Sequence, residues 1–354
     1  MQPLNRRSVI AAASLATPWL WTRRSWAEGR SIQIGIYASN QGQYVRTQVI
    51  PKFEHDLGCR VLPTEGVTLS QIALLRAQRS NPRYSVMFMD DAGIPIARSD
   101  GLIEKLPREH MPNMDRVIPR FVLNDGYGAA FAISTGSLFY NPQAIKPLES
   151  YAELWDPRFR QRFLMVTPKD TQNVFLAIAA ASLHTGKPFH EAQYLVDQAW
   201  GHFADLKPNV MSVYDTFSSV MEVAQGDADV GGVEYSKNIY PYTAKGAALE
   251  MCFPKEGTFA GINCMVLVKG GPEPDLAAAF MNRMLDPEVQ QGLAEATSTA
   301  PSVSGLTFKP DTAKRLAYPE ARMDEMKLFA ADWAYVNPRR AAWLEKTNQI
   351  FLGG

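Results

Sequence analysis

Cysteine is scarce: Cys59, Cys252 and Cys264 are the only three in 354 residues. Three scattered thiols make no disulfide framework. One bridge, Cys252 to Cys264, is open to an oxidising compartment, and three inert thiols are the plainer reading. No apolar run reaches the ~18–20 residues of a membrane-spanning helix. Net charge is missing too, with 36 basic and 36 acidic side chains. The first 27 residues hold four arginines and no acid, so 32 basic and all 36 acidic groups remain beyond them, a net of −4. A mildly acidic body lacks the basic face that nucleic acid requires. His55, His110, His184, His190 and His202 are dispersed, with no metal-ligand spacing. Gly126-Tyr127-Gly128 lacks a third glycine, and Gly186-Lys187 lacks the Ser or Thr of a phosphate loop. There is no G-x-S-x-G or S-x-x-K nucleophile motif. Nothing here asks for a metal, a cofactor or a catalytic residue.

What is present is apolar content of 46% in a chain too long for one core. Single cores stop growing near ~250–300 residues, which favours two lobes. The chain opens with Asn5-Arg6-Arg7-Ser8, a modest apolar segment to Trp21, and Ser25-Trp26-Ala27. This reads as an export signal of the twin-arginine type, with the mature chain starting near Glu28.

Strands and helices then alternate, which predicts an open α/β sheet. Ser31–Tyr37 is an alternating strand, and the helix after Asn40 stops at Gly58. Ser85–Met89 is a buried-type strand ending at Asp90-Asp91, where Asp91 is placed to cap the next helix. Gly128–Tyr140 is long and apolar, reading as a crossing between lobes hinged near Ser134–Gly136. Phe163–Val166 is followed by a helix from Thr171, and Asn209–Tyr214 by Asp215. Gly226 closes a helix, an apolar run passes Gly231-Gly232, and Glu234-Tyr235 follow. Phe259–Asn263 is the crossing back. In open sheets of this kind, ligands bind beyond the carboxyl ends of strands.

Several short pieces carry a resemblance: Phe53-Glu54, Asp90-Asp91 with Gly101-Leu102, Tyr140-Asn141-Pro142, and Leu154-Trp155-Asp156-Pro157. Gly226-Asp227-Ala228-Asp229, Pro254-Lys255-Glu256-Gly257 and Leu285-Asp286-Pro287-Glu288-Val289-Gln290 complete them. Their order and spacing resemble the periplasmic solute-binding proteins of ABC importers, in the group of spermidine/putrescine binders and ferric-iron binders. The resemblance implies a type II two-lobed α/β fold, with each lobe an open sheet and two crossing strands as hinge. It divides the chain into a leader, 1–27, a first lobe, 28–134 with 261–305, and a second, 135–260 with 306–354. It also implies a monomer that binds a small solute and delivers it to an ABC permease in the inner membrane.

The candidate ligand contacts are Tyr37, Asn40, Asp90, Asp91, Thr135, Thr171, Tyr214, Asp215, Glu234, Tyr235, Glu256, Phe259 and Asn263. An ammonium gains from a carboxylate and from an aromatic face, so an amine-bearing solute of polyamine type is the first expectation. The chain departs from polyamine binders where they carry tryptophan and aspartate on the second crossing: here Gly261 and Asn263 stand instead. Ferric iron is an alternative, with Tyr235, Tyr240 and Tyr242 nearby but no adjacent tyrosine pair. An organic anion, or a transferase on the same scaffold, are the others.

Overall fold

The computed structural model describes residues 29–353 except Thr216. The leader and its twin arginine lie outside the described residues. Twelve strands are described: β1 Ser31–Tyr37, β2 Arg60–Gly66, β3 Tyr84–Asp90, β4 Ile103–Glu104, β5 Val122–Leu123, β6 Gly128–Tyr140, β7 Phe163–Val166, β8 Val210–Tyr214, β9 Val230–Tyr235, β10 Glu250–Met251, β11 Thr258–Val268 and β12 Leu328–Phe329. They join one sheet whose main path runs β2-β1-β3-β11-β6-β9-β7-β8.

The pairing explains the two lobes. β2, β1 and β3 are parallel to one another, and so are β9, β7 and β8. Between these wings the long strands β11 and β6 pair antiparallel with each other and with their neighbours. Every residue of β6 and of β11 is buried, so both are covered on both faces and need no polar alternation. The wings therefore point their carboxyl ends toward a common cleft.

Local sequence accounts for the layers around the sheet. The helix Thr171–Thr185 buries residues 172–182 almost without a polar stripe, and Gly186 at φ +68° ends it. Gly58 and Gly226 close their helices in the same left-handed conformation. The first core gathers Ile34, Phe53, Phe88, Phe131, Met265 and Phe280. In the second, Phe259 stacks between Phe175 and Phe189, with ring centroids 4.6 and 4.5 Å away.

Some sequence expectations shift. Leu316, Ala317, Tyr318, Met323 and Met326 pack into the first core, although 306–354 was expected in the second lobe. Only the last stretch, with Trp333, Val336 and Trp343, joins the second core. All three cysteines are free and buried.

Asp91 does not cap a helix. Ala92 holds the N-cap position of Gly93–Ser99 and receives no side-chain bond. The Asp91 carboxylate accepts only the Ala92 N–H, at 3.1 Å. The buried Trp333 indole N–H is near enough to favour its charge but off hydrogen-bond geometry. Asn337 Nδ2 donates to the Ala92 carbonyl at 2.7 Å. The tail is thus tied to the residue after Asp91, which packs with Trp333 in the second core. Burial raises the Asp91 pKa to about 8, and Asp90 beside it adds to the rise.

Two outcomes follow from these contacts. Phe259→Ala should cost ~3–5 kcal/mol of stability, read from denaturant midpoints, because it empties a stacked, fully buried site. Asp91→Asn should stabilise progressively as pH rises. A carboxyl whose folded pKa is raised contributes fully below its unfolded value of ~4, and that contribution is lost as pH climbs toward about 8. The asparagine variant escapes this loss. Its melting advantage should therefore widen between pH 5 and pH 8, at up to ~1.4 kcal/mol per pH unit. A pH-independent difference would contradict the assignment.

Candidate functional site

The carboxyl ends of β1, β3, β7, β8 and β9 bring polar side chains to the cleft from both wings. On the first wing, Asp90 ends β3. Its Oδ1 accepts the Tyr37 hydroxyl at 3.0 Å and Asn263 Nδ2 at 2.8 Å, and its Oδ2 accepts the Thr68 hydroxyl at 2.9 Å. Gln41 Nε2 donates to Asn263 Oδ1 at 2.9 Å and so fixes that amide. Burial pushes the Tyr37 phenol well above its ordinary pKa, with the Asp90 charge adding to it. The hydroxyl therefore stays a donor at neutral pH.

On the second wing, Glu234 is fully buried near the end of β9. It accepts Gln172 Nε2 at 3.0 Å, the Tyr214 hydroxyl at 2.9 Å, Asn238 Nδ2 at 2.8 Å and the Tyr235 N–H at 2.7 Å. Four donors satisfy a carboxylate that water does not reach. Burial, then the Glu234 charge, drives the Tyr214 pKa well up. Glu234 thus orients its neighbours around the cleft instead of facing it.

Lys237 joins the two sides. Its ammonium donates to Asn263 Oδ1 at 3.2 Å and lies 5.4 Å from the Tyr235 ring centre. Burial pulls its pKa down while Asp90 and Glu234 hold it up, although part of the side chain remains exposed. The Tyr235 ring lies flat on the second crossing because Gly261 has no side chain. A Cβ there would sit 2.3 Å from the ring.

Two half-buried charges differ from these. The Asp170 carboxylate, at the N-terminus of the helix Thr171–Thr185, accepts no side-chain hydrogen bond among the described residues. Burial first, then the charge of Glu234, raises its pKa. Arg340, the first residue of the last helix, is half-buried; burial pulls its pKa down, and the charges of Tyr235, Asp170 and Asp90 work against that. Among the described residues no carboxylate comes within 4.0 Å of its guanidinium.

Of the residues chosen from sequence, Tyr37, Asp90 and Asn263 form one bonded cluster, and Tyr214, Glu234 and Tyr235 another. Thr135 is buried on β6 and its N–H bonds Ser236 Oγ at 3.2 Å, where the hinge was placed. Thr171 starts its helix beside Asp170, and Asp215 is exposed just past β8. Asn40 is exposed at the start of a five-residue helix and makes no side-chain bond. Two candidates lie elsewhere. Phe259 is core packing, and Glu256 receives the Ser150 hydroxyl at 2.5 Å and the Tyr151 N–H at 3.2 Å. Gln41, Thr68, Asp170, Gln172, Lys237 and Arg340 were missed. Asp170 follows a strand end and could have been chosen on that ground. Nothing local distinguishes Arg340 from the other basic residues.

Residues 48–320 match the model of the bacterial extracellular solute-binding protein family. The spermidine/putrescine-binding periplasmic protein of Salmonella typhimurium is 21% identical over 298 residues, covering 81% of this chain and 84% of its own. The putrescine/cadaverine-binding protein of Pseudomonas aeruginosa is 23% identical over 312 residues, with 81% and 85% covered. The crystal structure of an ABC transporter protein from Clostridium perfringens superposes with a TM-score of 0.77 at 18% identity, covering 90% of this chain and 99% of that one. Two parallel wings on a pair of crossing strands, with polar strand ends between them, are the type II fold these comparisons share. The chain belongs to the bacterial extracellular solute-binding protein family, whose members bind solutes and are not enzymes.

Proposed function

We propose that this protein captures a small amine-bearing organic solute in the cleft between its lobes, in the periplasm, and hands it unchanged to an ABC permease. The monomer is the acting unit. Closure is a hinge motion of the two wings about β6 and β11. The observation that carries the reading is the half-buried Asp170 carboxylate without a side-chain donor among the described residues, set at the Thr171 helix start within reach of the Glu234 charge. An ammonium would supply the missing donor and relieve the repulsion from Glu234. Gln41 helps, since its buried Oε1 has no donor.

Ferric iron is less well supported. Its anionic oxygens would have to come from tyrosines, and Tyr240 is buried against Arg315 at 5.4 Å, in a separate cluster from Tyr235. A linear polyamine is also strained as a fit, because Asp90 and Glu234 already accept several donors each.

Calorimetry on the exported chain with small amines tests this. Stoichiometric binding without turnover is expected, together with a rise in melting temperature. Asp170→Asn should weaken amine binding about tenfold or more, the worth of one charged hydrogen bond. Its unliganded melting point should not fall, since burial already disfavours the charge. Unchanged affinity in that variant would remove Asp170 from the site. Gly261→Ala should displace the Tyr235 ring and weaken the same ligand, with the fold retained.

A further inference from the structure

The cleft contains more cationic donors than its acids use. Asp90 and Glu234 together receive seven donors from neutral groups and the backbone, none of them from Lys237 or Arg340. Lys237 gives one of its hydrogens to a neutral amide. The Arg340 backbone N–H bonds the Asn337 carbonyl, but its guanidinium makes no hydrogen bond or ion pair among the described residues, and a guanidinium carries five N–H donors.

Arg340 is also badly placed for its own helix. It lies in the first turn of Arg340–Phe351, where the helix dipole disfavours a cation. Its neighbour Arg339 shows the ordinary alternative: that guanidinium stacks 3.7 Å over the Tyr335 ring and bonds the Tyr335 carbonyl at 2.9 Å. The tail that carries Arg340 is held in place. Asn337 is tied to Ala92, just past β3, and Ala92 and Trp333 pack together in the second core. A half-buried guanidinium at a helix start, with no ion-pair partner among the described residues, matches a carboxylate arriving with the ligand. Arginine receives such a group in bidentate fashion.

We infer that the solute also carries a carboxylate, docked on Arg340 with Lys237 beside it, so that the cleft takes an amino-acid-like zwitterion in preference to a polyamine. The inference deepens the reading above and depends on it only for the amine end. The bound carboxylate and ammonium lie between Arg340 and Asp170, two opposite charges that do not meet each other in the protein.

Matched probes separate the two ends. Ornithine and gamma-aminobutyrate are compared with putrescine, and lysine and delta-aminovalerate with cadaverine. Valerate and glutarate serve as acids without an amine. Each is tested by thermal shift and calorimetry on the full exported chain, on Arg340→Gln and on Arg340→Lys. At least one carboxylate-bearing probe should bind about tenfold or more tightly than its diamine counterpart. Arg340→Gln should abolish that preference and leave the diamine no weaker, while Arg340→Lys restores part of it. Diamines binding best, or a preference unchanged in Arg340→Gln, would overturn the inference while the solute-binding reading stood. Amine-free acids binding through Arg340 as tightly as the zwitterions would overturn the inference, since the inferred solute carries both charges, and would remove the amine reading with it. If no probe of either kind binds, both fall. The unliganded melting curves of the variants show that each is folded.

Discussion

Everything in the cleft hangs on the antiparallel pair β6 and β11. These strands run between the wings with all their residues buried, and their register sets which groups oppose each other. Phe259 pairs with Gly136 and locks the second core, while four residues later Asn263 pairs with Asp90 and serves the first. Short pieces β5 and β10 on β6, and β4 and β12 on β11, extend the ladder at their ends. One strand thus carries core packing at one end and site chemistry at the other. Small residues at Gly136 and Gly261 keep the middle thin enough for the Tyr235 ring to lie upon it.

The charges of the cleft fall into two kinds. Asp90 and Glu234 are engaged by neutral donors and fix the hydroxyls of Tyr37 and Tyr214. Their work is preorganisation, which lowers the ordering cost when a ligand arrives. Asp170, Lys237 and Arg340 keep hydrogen-bonding capacity that the protein itself does not use. The proposed recognition of a solute with two charged ends rests on this second group, with the first beneath it.

Much of the fold could be read before any coordinates. β1 and β7 stand at their expected limits, and the helix stops expected at Gly58 and Gly226 follow from glycine's freedom at positive φ. Gly128–Tyr140 declared itself a crossing because an apolar run that long must be buried on both faces. Errors arose where a residue's role depends on what packs against it. Phe259 looked like a ligand ring because it opens the second crossing, yet Phe175 and Phe189 enclose it. Glu256 sits on a tight turn that reads as polar surface, and its partners Ser150 and Tyr151 are over a hundred residues away in the chain.

The amino-acid order alone determined the alternation of strands and helices, the two-lobed class, and the polar strand ends Tyr37, Asp90, Tyr214 and Tyr235. These follow from periodicity and local backbone preference, which act over a few residues. Only the tertiary structure decided which charges meet. Lys237 reaches Asn263 across 26 positions, and Arg340 comes from the far end of the chain to where the charges of Asp90 and Asp170 act on it. Such pairings are set by the packing of the tail on Ala92 and on the second core, and no local pattern of residues encodes them.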